Sequence, residues 1–462
     1  MIRIFKHYIP KPLLYLGMIE CLILFAAIWA GMHIRFSQVG MNYAGISGYA
    51  VEMGSFVVIV YVVMVATGLY QLDTCRDMRL SLLRLVTGLF LALVAMSVII
   101  YLFPDIDLWR SVMFYAFVFS GGALTVSRFI FQRVADMEQF KKNVLVLGAG
   151  DRALEVKKSG QGRSSHVKFS GFLRMDDNEN AIPEAIPYES LSSLQDFVHQ
   201  NQVQEIVVAI QERRGTLPVD ALLDCRMDGC EVTDSSSFIE QQTGTLNLDT
   251  ISPGWLIFAD GFGGGKKFDL ALKRLFDISA SLLVLLSTMP ILILTAILVK
   301  TTSRGPIFYR QQRVGLNGKC FDVMKFRSMT VDAEKDGVPQ WAGKKDSRVT
   351  AVGRVIRTTR IDEIPQVFNV LKGDMSFVGP RPERPYFVEK LGKKIPYYHE
   401  RHRVKPGITG WAQLNYPYGA SEEDARRKLE YDLYYIKNYS VFLDFLILIQ
   451  TVRVVLWPDG VR

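Results

Sequence analysis

Apolar positions in this chain are gathered rather than spread. Four runs occupy the first 131 positions, at about 13–34, 49–70, 82–103 and 109–131. Crossing a hydrocarbon core of about 30 Å takes about 20 mostly apolar residues, so each run predicts one membrane-spanning helix. The polar positions between the runs set the direction. Arg3, Lys6 and Lys11 precede the first run, Arg76, Arg79 and Arg84 lie around the second connection, and Arg128, Arg133, Lys141 and Lys142 lie at or after the end of the fourth. The other connections are almost free of basic residues, and the third carries Asp105 and Asp107. Basic loops stay in the cytoplasm, so residues 1–135 read as a four-helix transmembrane bundle with both ends on that side. The first run is too long for a secretory signal and no small-residue cleavage site follows it.

After residue 141 the pattern shortens to strand-sized runs. Positions 143–150 read NVLVLGAG, a buried strand entering a glycine turn with the spacing Gly148-x-Gly150-x-x-Ala153. Such glycines let backbone approach a pyrophosphate at a helix N-terminus. Further strands are expected at 167–173 and 204–210 with helical stretches between, giving a central Rossmann-like α/β domain over 141–260. The fingerprint also wants an acidic residue about 20 positions on, and the nearest, Asp176 and Asp177, come late. No Tyr-x-x-x-Lys pair occurs between 143 and 260. The domain therefore reads as regulatory or scaffolding, with nucleotide binding left open. GFGGGKK at 261–267 lacks the glycine a phosphate loop needs at position 260, which is Asp260, and reads as a flexible linker. His399-Glu400-Arg401-His402 is one residue short of a helical zinc pair.

A fifth apolar run, at 278–299, changes the topology. A full crossing would put everything after it outside the cytoplasm. That last third, from Thr301 to Arg462, carries 28 Lys and Arg against 18 Asp and Glu, a surplus of ten in a chain whose net charge is +8. The run also contains Met289-Pro290, and a proline in mid-helix removes a hydrogen bond and kinks the helix. Lys273 and Arg274 flank one end, Lys300 and Arg304 the other. A re-entrant helix over 269–300 that bends at Met289-Pro290 leaves all four in one headgroup layer. The five cysteines are scattered, with neither disulfide nor zinc spacing, which fits a reducing compartment.

The remaining residues, 268–462, read as a mostly α catalytic domain dense in basic side chains: Arg313, Lys325, Arg327, Arg357, Arg360, Arg381, Arg384 and Arg403. The planar fork of arginine matches phosphate oxygens, so the clustering implies a phosphorylated ligand. No nucleic-acid-binding module pattern accompanies it, and membrane attachment argues against that partner. Within the basic field stands one adjacent acidic pair, Asp362-Glu363, bracketed by Ile361 and Ile364 ahead of Pro365. Phosphoryl transfer needs a nucleophile, a divalent cation and cationic clamps. One carboxylate can become an acyl phosphate while a second holds Mg2+ through hard oxygens.

From about Phe268 onward the chain resembles the bacterial sugar transferases, the monotopic polyprenyl-phosphate hexose-1-phosphate transferases. The motifs that carry the resemblance are KRLFD at 273–277, the apolar run with Met289-Pro290, KFRSM at 325–329, IDEIPQVFNVLKGDMSFVGPRP at 361–382 and PGITGWAQ at 406–413. Four spans ahead of an α/β domain resemble the long members found with exopolysaccharide loci. The resemblance implies a two-step reaction in which Asp362 attacks the sugar phosphate of a UDP-sugar, releases UMP and holds the phosphosugar until undecaprenyl phosphate takes it. It further implies that Glu363 binds Mg2+ and Arg357 a phosphate, with Lys325, Arg327, Arg381 and Arg403 inside family motifs and Asp432 a further polar site residue. Arg313 and Arg360 are added as phosphate-binding candidates. Where the family has a Ser-Pro or similar pair in the membrane helix, this chain has Met289-Pro290, keeping the kink and losing a hydroxyl. The implied place is the bacterial inner membrane, multi-pass, with the catalytic domain on the cytoplasmic face among membrane lipids, and the bundle and middle domain offer surfaces for a homodimer. Two rivals stay open: a glycosyltransferase that releases UDP, and a non-enzymatic scaffold of polysaccharide assembly.

Overall fold

The computed structural model describes residues 2–4, 7–40, 48–106, 108–135, 141–161, 167–176, 179–210, 217–249, 251, 262, 267–330, 348–417, 419 and 421–457. Asp177 and most of the 261–267 linker lie outside the described residues. The chain divides into two compact units, Met1–Ile4 with Tyr8–Thr250 and Phe5–His7 with Ile251–Arg462.

After two short strands, β1 (Ile2–Ile4) and β2 (His7–Ile9), each of the four apolar runs forms a helix. These are α1 (Lys11–Val39), α2 (Ala50–Ala66), then after the short α3 (Leu72–Arg76), α4 (Met78–Leu102) and α5 (Arg110–Ala135). The helices α1, α4 and α5 are long and apolar enough to cross a membrane, while α2 has 17 residues and is the shorter apolar helix of the set. Their facing sides bury Leu24, Ile28, Phe56, Val60, Met96 and Ala116 in one seam, and the outward sides stay apolar and exposed. A Cβ on Gly31 would lie 3.1 Å from backbone atoms of Val112 and Ala116, so α1 and α5 cross almost in backbone contact.

Two arginines counted above as flanking charges turn inward instead. Arg128 is 1% exposed and grips Glu20 through both carboxylate oxygens, at 2.6 and 2.7 Å, while donating to the Leu69 carbonyl at 2.9 Å. Arg84 donates to the Gly68 carbonyl at 2.9 Å and to Gln71 Oε1 at 3.0 Å. Together they fasten the turn between α2 and α3 to the bundle. A buried charge is tolerable only when paired in this way.

The rest of this unit is a doubly wound sheet. It comprises β3 (Lys142–Leu147), α6 (Asp151–Gly160), β4 (Val167–Arg174), β5 (Ile186–Pro187), α7 (Leu194–Gln200), β6 (Glu205–Val208), α8 (Val219–Met227), β7 (Glu231–Asp234) and α9 (Ser235–Thr243). The strands run parallel in the order β5-β4-β3-β6-β7. Successive residues of β3 feed opposite cores: Val144 and Val146 pack with Ala153, Val156 and Phe238, and Leu145 and Leu147 with Leu194, Val198 and Cys225. That alternation is the two-residue period of a strand covered on both faces. Gly148 has φ +122° and a Cβ there would sit 2.8 Å from the Ala209 carbonyl oxygen, so the turn after β3 demands glycine. Just beyond it the Ala149 N–H donates to Glu179 Oε2 at 2.9 Å, so a carboxylate of the chain itself caps the glycine turn. Asp176 follows the end of β4.

The second unit opens with α10 (Lys267–Thr302), 36 residues unbroken through Pro290, with Leu283, Leu286, Met289 and Ile293 among its exposed apolar side chains. An antiparallel hairpin follows, β8 (Phe308–Val314) with β9 (Cys320–Phe326), then α11 (Ala351–Thr358), a 3-10 turn over Ile361–Gln366 and α12 (Val367–Lys372). The short strands β10 (Ser376–Val378) and β11 (Gly407–Thr409) pair in parallel across the intervening α13 (Pro385–Gly392). Helices α14 (Trp411–Asn415), α15 (Glu422–Lys437) and α16 (Val441–Leu456) complete a mostly α unit.

Candidate active site

The acidic pair owes its position to two local constraints. Thr350 caps α11 by accepting the Gly353 N–H on its hydroxyl at 2.9 Å, and a Cβ on Gly353 would lie only 1.9 Å from the Ser328 carbonyl oxygen. The helix therefore presses straight onto the chain leaving β9. At its other end Arg360 takes the left-handed conformation, φ 59° and ψ 12°, which costs a non-glycine residue about 1 kcal/mol or more. That reversal starts the 3-10 turn, whose first residues are Ile361, Asp362 and Glu363 and which accommodates Pro365.

From the other side, Asn369 aligns β9 with the turn. Its Nδ2 donates to the Asp322 carbonyl at 2.7 Å and its Oδ1 accepts the Met324 N–H at 3.0 Å. The next residue of the strand, Lys325, then reaches Glu363 Oε1 at 2.8 Å. The same oxygen receives Arg381 Nη2 at 3.0 Å, and Arg360 Nη1 stands 3.9 Å away. Three cations converge on one carboxylate.

Its neighbour is treated differently. Asp362 is 8% exposed, and its Oδ1 is buried without a hydrogen bond within the chain. Burial first, then the charge of Glu363, pushes the Asp362 carboxyl up to about 6, against the opposing pull of Lys325, Arg357 and Arg360. Burial would raise Glu363 as well, but Arg381 and Lys325 overcome it and hold that carboxyl far below the ordinary range. Burial lowers the Lys325 ammonium despite its partner Glu363. Two adjacent carboxylates are thus driven apart, one fixed as an anion and one poised with an oxygen in reserve, a separation that permits different chemical roles.

The other sequence candidates divide. Arg357, half-buried on α11, acts on Asp362 through its charge. Arg313 lies beside the Arg381 loop, with Nη1 donating to the Pro382 carbonyl at 3.3 Å and standing 3.7 Å from Glu383. Arg403 is paired with Glu400 at 2.8 Å on the surface rather than with the acidic pair. Arg327 is buried and directed at the end of α10, where Nη2 donates to the Ser303 carbonyl at 2.8 Å and its hydroxyl at 2.7 Å. Asp432 is buried behind the site: it pairs with Arg401 at 2.8 Å, and Arg401 in turn donates to the Arg381 carbonyl at 3.1 Å. Met289 and Pro290 remain on α10. Sequence reasoning passed over Asn369 and Arg401, although both stand in or beside quoted motifs.

Among the described residues no group of three or more His, Cys, Asp or Glu side chains forms a ready-made metal cage. Magnesium needs less, since it is commonly held by one or two carboxylates together with substrate phosphates. The unpartnered Asp362 Oδ1 and Glu363 Oε2, which takes part in none of the contacts above, are hard donors that fit it.

Comparison with known proteins identifies the region that carries the acidic pair. Residues 268–458 match the family model described as bacterial sugar transferase, and residues 65–231 match a CoA-binding domain. Over 191 residues the chain is 49% identical to a UDP-N-acetylgalactosamine-undecaprenyl-phosphate N-acetylgalactosaminephosphotransferase from Aeromonas hydrophila, covering 41% of this chain and 45% of that one. It is 49% identical over 186 residues to a UDP-glucose:undecaprenyl-phosphate glucose-1-phosphate transferase from Klebsiella pneumoniae, covering 40% of each. In both cases the alignment spans less than half of the relative. The exopolysaccharide production protein PSS of Rhizobium leguminosarum bv. phaseoli is 42% identical over 193 residues, 40% of this chain but 94% of its own length. A match that takes in nearly the whole of that shorter relative, beside a family match whose bounds include the acidic pair, makes the chain a member of the bacterial sugar transferase family.

Proposed function

We propose that this chain moves a sugar phosphate from a UDP-sugar onto undecaprenyl phosphate, releasing UMP, as the first membrane step of exopolysaccharide assembly. The observation that carries the reading is the contrast within Asp362-Glu363: a buried carboxylate with a free oxygen beside one neutralised by Lys325 and Arg381.

In the first half-reaction an Asp362 oxygen attacks the phosphorus bonded to the sugar. The bond from that phosphorus to the bridging oxygen breaks, and UMP leaves with the bridging oxygen. In the second, an oxygen of undecaprenyl phosphate attacks the same phosphorus, and its bond to Asp362 breaks. The products are a polyprenyl diphosphate sugar and the restored carboxylate. Lys325, Arg381, Arg360 and Arg357 face the diphosphate with preset positive charge, the arrangement that lowers the barrier to phosphoryl transfer most. Glu363 would hold Mg2+ together with the diphosphate, whose developing charge the ion neutralises when bound.

The lipid acceptor calls for a site at the membrane surface, and the proposal places it on the cytoplasmic face of the inner membrane with α10 re-entrant. Two features support this. A straight helix of 36 residues would measure about 54 Å, far more than a core of about 30 Å. Lys273 and Val299 would stand about 39 Å apart on such a helix, yet one small unit grips both. A bend at Pro290 would shorten both spans.

Purified chain incubated with undecaprenyl phosphate and UDP-glucose or UDP-N-acetylgalactosamine should release UMP, and Asp362→Asn should abolish the release while leaving the fold intact. Release of UDP, or an active Asp362→Asn chain, would refute the covalent route.

A further inference from the structure

Two buried cations of this unit sit beside the machinery without touching the acidic pair. Arg327 is 5% exposed, and Lys273, in the KRLFD motif, is 8% exposed. Both bind α10 to the elements that supply the cations on Glu363.

At the C-terminal end of α10, Arg327 Nη2 meets three acceptors: the carbonyls of Val299 at 3.3 Å and Ser303 at 2.8 Å, and the Ser303 hydroxyl at 2.7 Å. The last carbonyls of a helix lack partners within it and carry its negative dipole end, so a guanidinium there is well matched. Phe326, between Lys325 and Arg327, packs with Val299 of α10 and Ile356 of α11 in one small core. Lys325 is thus one residue from a hydrophobic lock and two from a polar one, both closed on α10.

The N-terminal end does the same for Arg381. Asp277 Oδ1 accepts the Ser376 hydroxyl at 2.9 Å and the Phe377 N–H at 3.0 Å. One turn earlier, Lys273 Nζ donates to the Val378 carbonyl at 3.1 Å and to Asp444 Oδ2 at 2.6 Å. Tyr435 completes the ring by donating to Asp444 Oδ1 at 2.7 Å. All of β10 is therefore held by α10, and Arg381 follows three residues later. The link has no slack, because a Cβ on Gly379 would lie 2.3 Å from the Lys405 carbonyl oxygen.

We propose that α10 is the positioning spine of the active site, with Arg327 and Lys273 as the positioning residues that fix Lys325 and Arg381 on Glu363. This rests on the reading of Asp362-Glu363 as the reacting pair. Neither residue is a phosphate ligand. How the helix lies in the membrane is transmitted to the two cations through these two attachments, so the lipid environment bears on catalysis as well as on docking.

Steady-state kinetics in lipid discs test it, using whichever of UDP-glucose and UDP-N-acetylgalactosamine the chain turns over. Arg327→Met and Lys273→Met should each lower kcat about tenfold or more with KM for the UDP-sugar changed less than about twofold, since an interaction made only in the transition state is lost. Arg327→Lys should recover part of the loss. Because Arg327 acts through Lys325, the Arg327→Met/Lys325→Met double variant should be no slower than Lys325→Met alone. A raised KM at unchanged kcat would overturn the proposal in favour of direct substrate contact, and so would losses that multiply in the double variant. If Arg327→Met fails to fold, Ser303→Ala, which removes only a hydroxyl, decides: kcat should fall about two- to fivefold with KM constant, the loss of roughly one hydrogen bond, and an unchanged kcat refutes the spine. UDP release or an active Asp362→Asn chain would remove the chemical reading instead, and neither bears on the coupling of Arg327 to Lys325.

Discussion

Asn369 is buried and turns both the nitrogen and the oxygen of its amide to the edge of β9, so this side chain fixes how the strand lies against the 3-10 turn. Asn369→Leu keeps the volume and strips both hydrogen bonds, leaving the Met324 N–H and the Asp322 carbonyl short of a partner. The expected cost is about 2 kcal/mol of stability, the range for buried polar groups left unpaired. Thermal unfolding in detergent should show a lower midpoint, and transfer should weaken because Lys325 loses its registration with Glu363. At this scale the sequence named residues that the fold does bring together, Lys325 and Arg381 on Glu363 with Asp362 next to it. Arg327, Arg403 and Asp432 show the limit. Each has the residue type that binds or accompanies phosphate, but its partner is chosen by tertiary neighbours: the end of α10, Glu400 and Arg401. Nothing in the local pattern separates Lys325 from Arg327, two positions apart in one motif.

Among the elements, α10 raises the most direct test. An impermeant thiol reagent applied to intact cells should label Asp105→Cys, in the connection between α4 and α5. It should not label Arg304→Cys, just beyond α10, in a chain whose exposed Cys320 is replaced. Labelling of Arg304→Cys would mean that α10 crosses the membrane completely. The long helices and the parallel sheet were readable because each carries a strong period: unbroken apolar runs for α1, α4, α5 and α10, and a continuously buried strand entering glycines for β3. The β8-β9 hairpin was not read. FYRQQRV and CFDVMKF do not alternate apolar with polar, since both edges of this two-stranded ribbon carry charges, and only Val314, Val323 and Phe326 are buried. The apolar run at 49–70 is longer than the helix it forms, since α2 ends at Ala66 after 17 residues.

For the whole molecule, the division into two units invites separation. A chain beginning at residue 262 keeps α10 and the complete acidic site, and the Rhizobium relative is scarcely longer than that region. It should retain measurable transfer. It should also unfold at a lower temperature, because His7 belongs to the second unit, with Nδ1 3.0 Å from the Tyr434 hydroxyl and its ring edge-on to Trp411 at 5.3 Å. Losing that attachment should cost about 1 kcal/mol, and a melting curve of the shortened chain beside the full one would reveal it. The Arg128–Glu20 pair has a different reach, into how the first unit is made. Glu20 emerges early in synthesis with no cation beside it, and its counterion follows 108 residues later. Until α5 arrives, α1 must leave that carboxylate at a watery boundary or uncharged, and only then can the two helices close in lipid. The pairing of α1 with α5 is therefore expected to close only after nearly all of the bundle has left the ribosome.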